Sequence, residues 1–279
     1  MNSRLIRYFS LIIILISLSS WSEKVHRKIN TSSVEILPNG LKRLNQWSEF
    51  IGDHASDADL RKKSDKPEFV KHFIDIDNYD GFIKNHQIEQ NFEAACAKYG
   101  KDFVMKNGTL PWVTDSTYKA LIENFRMKNW NQAALTAADL GHYVADGFMP
   151  LHATANYDGQ FTGQTGVHSR FEEVMVDPYI DDISLRETPD KKVDQVQTYI
   201  FEYLYANNSK IEPILQADKD ALKMSNSQYD ESYYRFFWEK TKLLTVKQLR
   251  KATKTLATLI YSAWIEAGKP EIPEKISQN

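Results

Sequence analysis

The chain has 279 residues, a formal net charge of −2 and 42% hydrophobic residues. That composition fits one large globular domain or two small ones and excludes extensive disorder. The slight acidic excess also argues against a dedicated duplex-DNA binder, which would present a basic stripe.

The first element is a leader. Arg4 and Arg7 precede an apolar run from Leu11 to Ile16, followed by Leu18 and the small residues Ser17, Ser19 and Ser20. This layout predicts a signal peptide over residues 1–20, with a mature chain of 21–279 that begins at Trp21 and is exported to the periplasm or beyond. The run is short for a transmembrane helix, which favours export over the alternative of an uncleaved membrane anchor. Pro38-Asn39-Gly40 predicts a turn, and a periodic helical stretch follows from Leu41 to Ile51. Val70 to Ile76 is the one candidate for extended chain, short and isolated. Cys96 stands alone, which rules out an internal disulfide and leaves core and metal to stabilise an exported fold.

Asp115 or Ser116 is expected to cap a helix through Tyr118, Leu121, Ile122 and Phe125. Trp130 to Ala145 reads as a second helix, rich in alanine and leucine. Helices are then expected over Val193–Leu204, Ile211–Met224, Tyr229–Leu244 and Val246–Ala267, the last stopped by Gly268 and Pro270. Asp53–Lys71, Tyr157–Gly166 and Asp177–Pro189 read as loops. The aromatic run Tyr233 to Trp238 reads as core, with a lipid-facing or base-stacking surface as the alternative. The expected architecture is a single compact all-α domain.

Chemistry gathers between Gly141 and Val174. His142 and Asp146 are four residues apart, so a helix places them on one face. Pro150 disturbs that helix, and His152 follows where it can turn to the same side. His168 and Glu172 repeat the four-residue spacing. A single such pair is usually a surface ion pair. Two pairs and a further histidine in so short a stretch, from a chain with only seven histidines, point to metal ligation by imidazole and carboxylate. His26 and His72 lie where the site could recruit them; His54 and His86 read as surface or supporting residues. Asp139, one turn before His142, could orient that ring.

These residues resemble the motif of the zinc-dependent phospholipases C and the related single-strand-specific zinc nucleases: His-x-x-x-Asp-x-x-x-x-x-His, a loop, then His-x-x-x-Glu or Asp. The resemblance extends to Trp21 at the expected start of the mature chain, to His26 five residues on, and to Asp57 and His72 within DHASDADLRKKSDKPEFVKHFIDID. It implies an all-α domain with a trinuclear zinc cleft and three Zn²⁺ per chain. One zinc would take Asp57, His72, His142 and Asp146. A second would take the Trp21 amine and carbonyl, His26 and the other oxygen of Asp146. The third would take His152, His168 and Glu172. Asp59, two residues from Asp57, is the competing ligand. Phe73 and Asp75 match residues that line the family's substrate cleft, with a core aromatic and a loop carboxylate as their plainer reading.

Three zinc ions against three carboxylates leave net positive charge, which favours a phosphate ester substrate cleaved by a metal-activated hydroxide, with Asp57 and Asp146 at the catalytic centre. The expected activity is phospholipase C-like phosphodiester hydrolysis. Glu172 and the short span from His152 to His168 favour that branch, whereas the Trp21–His26 spacing leans towards a single-strand nuclease with 3′-nucleotidase activity. Ala58, after Asp57, lacks the aromatic face that attracts choline. Partners are accordingly a phospholipid head group or single-stranded nucleic acid, with room for membrane-surface contact and with a monomer expected. A different class of answer is a membrane-anchored helical binding module whose metal is structural.

Overall fold

A computed structural model describes residues 21–275. The expected leader, residues 1–20, lies outside the described residues. Those described form an all-α domain with no strand among them. The helices are α1 (Glu23–Glu35), α2 (Ser48–Asp53), α3 (Asp57–Arg61), α4 (Lys66–Phe69), α5 (Asp80–Asn85), α6 (Phe92–Tyr99), α7 (Lys101–Lys106), α8 (Leu110–Arg126), α9 (Trp130–Phe148), α10 (Val167–Ser169), α11 (Val196–Asn208), α12 (Ile211–Met224) and α13 (Glu231–Glu266).

α9 is the axis of the fold. Its small residues Ala133, Ala134, Ala137, Ala138 and Ala145 are buried, which lets α1, α8 and α13 approach it from different sides. Backbones come closest where α1 crosses α9. A Cβ on Gly141 would sit 1.8 Å from Asn30 Oδ1. Asn30 is buried there and donates to the carbonyls of Ala138 and Ile51, both at 3.2 Å, so one side chain fastens α1 to two neighbours.

Several elements differ from the sequence expectation for identifiable reasons. The stretch after the Pro38 turn is a 3₁₀ segment, Asn39–Trp47, followed by the short α2, rather than one helix. Leu41, Leu44 and Trp47 are the buried positions, and a three-residue repeat suits the 3₁₀ period. α8 starts five residues before Asp115, with Pro111 in its first turn, where a missing N–H costs little. Asp115 lies inside the helix and pairs with Lys119 at 2.6 Å. The two helices expected at the end are one helix of 36 residues, because Thr245 and its neighbours Thr241 and Gln248 are buried and packing overrides β-branched propensity.

The loop expected over Asp53–Lys71 contains α3 and α4. Val70 to Ile76 forms no ladder. Its backbone bonds instead to separate segments: Ile74 N–H to the His152 carbonyl (2.9 Å), Asp75 N–H to that of Asn107 (2.8 Å) and Thr109 N–H to that of Val70 (2.6 Å). This lashing brings His72 towards His152. Tyr233 and Phe237 are fully buried and Trp238 nearly so, stacked on Tyr179 at 4.3 Å; the aromatic run is core. Cys96 is half-buried on α6.

Gly141→Ala should be among the most damaging single methyl additions, because the new Cβ displaces the buried Asn30 amide. A loss of about 3 kcal/mol or more is expected, read as a lowered urea midpoint with an unchanged slope. Ala at Gly40, whose Cβ would meet only the Trp264 ring at 3.4 Å, should cost much less.

Candidate metal centre

The ligand helix ends where the sequence changes character. α9 delivers His142 and Asp146 one turn apart, then stops at Phe148. Met149 is extended and Pro150 starts a 3₁₀ turn, Pro150–Ala153, that swings His152 back towards Asp146. On the far side of the Tyr157–Gly166 loop, α10 runs directly into a π-helical turn, Arg170–Val174, carrying Glu172. Single π turns inside helices are often found at functional sites.

Three groups of His and acidic side chains could hold metal ions: His26 with His142 and Asp146; Asp59 with His72 and His142; and His152 with His168 and Glu172. In the second group His142 Nε2 lies 3.0 Å from His72 Nδ1, and Asp59 Oδ1 lies 3.5 and 3.6 Å from those two nitrogens. Asp146 Oδ2 completes it, 2.9 Å from His72 Nδ1 and 3.3 Å from His142 Nε2. In the third group His152 Nε2 lies 3.1 Å from His168 Nε2, and Glu172 Oε2 is 3.6 and 3.0 Å from them. A tetrahedral metal with bonds of about 2.0–2.1 Å holds its ligand atoms about 3.3–3.4 Å apart, and these separations bracket that value.

Asp146 joins the groups. It is fully buried, and its Oδ1 points away from the second group, 3.6 Å from His26 Nε2 and 3.5 Å from His152 Nδ1. One carboxylate thus presents separate oxygens to separate ligand sets, as a bridging ligand does. Burial raises the cost of its charge, but the surrounding His142 and His152 outweigh that and keep it ionised. Burial holds His26 neutral, with the charge on His142 adding to the effect. His142 is pushed the other way: burial disfavours its charge, but Asp146 and Asp59 outweigh it.

The outward nitrogens are pinned. His142 Nδ1 meets the Ala55 carbonyl at 2.8 Å and His168 Nδ1 the Tyr157 carbonyl at 3.2 Å, which leaves each Nε2 turned inward. Trp21 is also at the site. Its indole donates to the Ala145 carbonyl at 3.0 Å, and its ring packs against Phe171 at 6.0 Å, so it touches the neighbours of both Asp146 and Glu172.

One expected ligand is corrected. Asp57 turns outward and pairs with His54 at 2.7 Å, whereas Asp59, two residues on, faces His72 and His142. The α3 helix explains the swap, since residues two apart point to different sides of a short helix. Asp139 is likewise not the partner of His142; it pairs with Arg61 at 3.0 Å. His86 caps α5 in a left-handed conformation, away from the site.

Two supporting residues escape the sequence reading. Glu68 is buried one turn before His72, its Oε1 3.7 Å from His72 Nε2, and it takes hydrogen bonds from Tyr143 (2.5 Å) and Lys71 (2.6 Å). Burial opposes its charge, but the bonds to His72, Lys71 and Tyr143 outweigh that and keep it ionised. The Glu68–His72 spacing of four was the available signal. Arg170, between His168 and Glu172, donates to Asp218 at 3.0 Å and to the Gln164 and Thr165 carbonyls, tying the π turn to α12 and to the preceding loop.

A cleft of about 210 Å³ opens beside the ligands, lined by His72, His152 and His168 and by Phe69, Phe73, Leu151 and Tyr157. Asp75, Lys62 and Lys106 add its charged groups. Phe73 and Asp75 therefore do line the cleft. Asp75 Oδ1 is buried with no hydrogen bond, and burial, then nearby Asp77, pushes its pKa up to about 7.

No protein-family model matches the chain, and a search of curated proteins finds no match.

Asp59→Asn should weaken metal uptake by more than the roughly 10- to 100-fold typical of a supporting residue, whereas Asp57→Asn should leave it near the parent value, as read by competition with a chromogenic chelator. A raised carboxyl pKa lowers stability as pH climbs from about 4 towards about 7. Metal-free Asp75→Asn should match the parent near pH 4 and exceed it at pH 8, by about 4 kcal/mol at the upper limit. Equal pH profiles in urea titrations would remove Asp75 from this account.

Proposed function

We propose that this protein is a zinc-dependent hydrolase of phosphate esters, acting as a phospholipase C-like phosphodiesterase. The observation that carries the proposal is the disposition of Asp146, whose two oxygens face different histidine groups with a third group adjoining. Nitrogen and carboxylate donors at tetrahedral spacing suit zinc. Asp59, His72, His142 and Asp146 would hold one ion, His26, Asp146 and the Trp21 terminus a second, and His152, His168 and Glu172 a third. Bound zinc would supply positive charge for a phosphate and make hydroxide available near neutral pH.

The chain's own groups favour the same substrate class. Lys62 and Lys106 add cations to the cleft, and Phe69, Phe73, Leu151 and Tyr157 give it an apolar wall. The cleft, about 210 Å³, opens beside His72, His152 and His168, where a phosphate could reach them. Asp75 is placed to accept a hydrogen bond from a head-group hydroxyl or amine. With Asp59 as the ligand, the residue after it is Leu60 rather than Ala58, and neither offers an aromatic face to choline.

The nuclease reading has one observation in its favour. Tyr157 and Phe69 are part-exposed aromatics beside the cleft, where a base could stack. Hydrolysis of a short-chain phospholipid and of single-stranded RNA, measured side by side on the purified mature protein, separates the two. Cleavage of RNA alone would replace the phospholipase reading.

The binding-module reading is tested by metal. Among the described residues no helix is long and apolar enough to cross a membrane. Native mass spectrometry of the mature chain should show three zinc ions and Trp21 at the terminus. Asp146→Asn should lose two of the three ions, lower thermal stability and abolish turnover. Full zinc content and activity in that variant would refute the bridge.

A further inference from the structure

One face of α13 is exposed at Leu243, Lys247, Arg250 and Lys251, beside a groove to which Glu187 also contributes. From residue 240 to residue 254 the sequence contains six cations and no acid, in a chain whose net charge is −2. Lys240, Leu243, Lys247, Arg250, Lys251 and Lys254 follow a three- and four-residue rhythm, which places them along one side of the helix. Thr241, Thr245, Gln248, Leu249 and Ala252, on the other side, are buried. The outer stripe is about 21 Å long at 1.5 Å per residue.

The ends of this stripe are neutralised and its middle is not. Lys240 pairs with Asp220 at 3.2 Å, and Lys254 with Asp190 at 2.7 Å. Arg250 donates to the Ser184 carbonyl at 2.9 Å. Among the described residues no acid lies within ion-pair distance of Lys247 or Lys251, and half-buried Lys210, at the start of α12, is close enough to feel both. Burial, then Lys251 and Lys247, pushes the Lys210 pKa down to about 8. Lys210 donates to the Ala206 carbonyl, and its charge and those of Lys247 and Lys251 disfavour one another. Among them stands Leu243, 83% exposed and the most exposed large apolar side chain among the described residues.

We propose that the Lys240–Lys254 face of α13 docks this protein on an anionic lipid bilayer. Clustered lysines are attracted to anionic head groups near the surface, and the exposed Leu243 can enter the head-group boundary beside them. A single-stranded nucleic acid would be served by exposed aromatics, and the stripe has none; Trp238, one turn before it, is buried against Tyr179. The docking needs no turnover and stands apart from the hydrolase reading.

The test is co-sedimentation of the mature protein with vesicles of phosphatidylcholine alone or mixed with phosphatidylserine, with lipid hydrolysis measured separately on the same samples. Binding is expected on the mixed vesicles, falling as salt is raised. Lys247→Glu with Lys251→Glu should reduce the partition more than about tenfold, and the neutral Lys247→Gln/Lys251→Gln pair by less. Both lysines are exposed, so circular dichroism and zinc content should match the parent. Leu243→Ser should weaken the binding that persists at high salt. Equal partition into both vesicle types, or unaltered binding by the charge-reversed pair, would overturn the proposal. Bare vesicles, with an oligonucleotide bound and lost in the charge-reversed pair, would assign the stripe to nucleic acid instead.

Discussion

A carboxylate with no exposure to water has to be surrounded by groups that replace its hydration, and Asp146 is such a group. Its neighbours come from four places in the chain: His26 on α1, His72 after α4, His142 on its own helix and His152 beyond the Pro150 break. The rest of the fold is arranged so that these four rings converge. If the carboxylate were removed, the buried ring nitrogens that face it would lose their partner. If any histidine were removed, a buried charge would lose part of its compensation.

Packing supplies the convergence. Alanines on α9 let α1 lie close enough for His26 and His142 to stack at 4.0 Å. Asn30 and Gly141 fix the crossing point of those two helices. The Trp21 indole then ties the start of the described chain to the neighbours of Asp146 and Glu172. Behind His72, the buried Glu68 and its donors Tyr143 and Lys71 form a polar layer between the ligands and solvent. His26, His142 and Asp146 sit on helices and His72 on the bend after α4, while the shorter turns at Pro150 and Arg170 provide the changes of direction that straight helices cannot.

The all-α class was legible because helical periodicity and capping dominate the sequence and alternating patterns are nearly absent. His142 with Asp146 and His168 with Glu172 were legible for the same reason: four-residue spacing is local, and helices translate it directly into proximity. What lay beyond reach was orientation within short elements. Asp57 and Asp59 are equivalent by composition, and only the actual turn of α3 sends one to His54 and the other to the ligands. The α8 start was misplaced because Asp115 is a fair cap by type, while Pro111 had already opened the helix. The long α13 was divided at Thr245 because β-branched propensity is local and the burial that overrides it is not. Glu68 was missed although its spacing to His72 is the same four residues.

The ligand groups draw on residues from 26 to 172, and no short fragment contains a complete set spanning Asp146. Contacts of that sequence separation form late, since loop-closure entropy must be overcome before they contribute. α1 must dock on α9, the segment around His72 must be lashed to the turn after Pro150, and the π turn must be tied to α12 before the rings point inward. A chain arrested partway offers isolated imidazoles that bind metal weakly and interchangeably. If these groups do hold metal, their spread along the chain makes tight uptake a report on completed folding, so that a misassembled copy would also be an empty one.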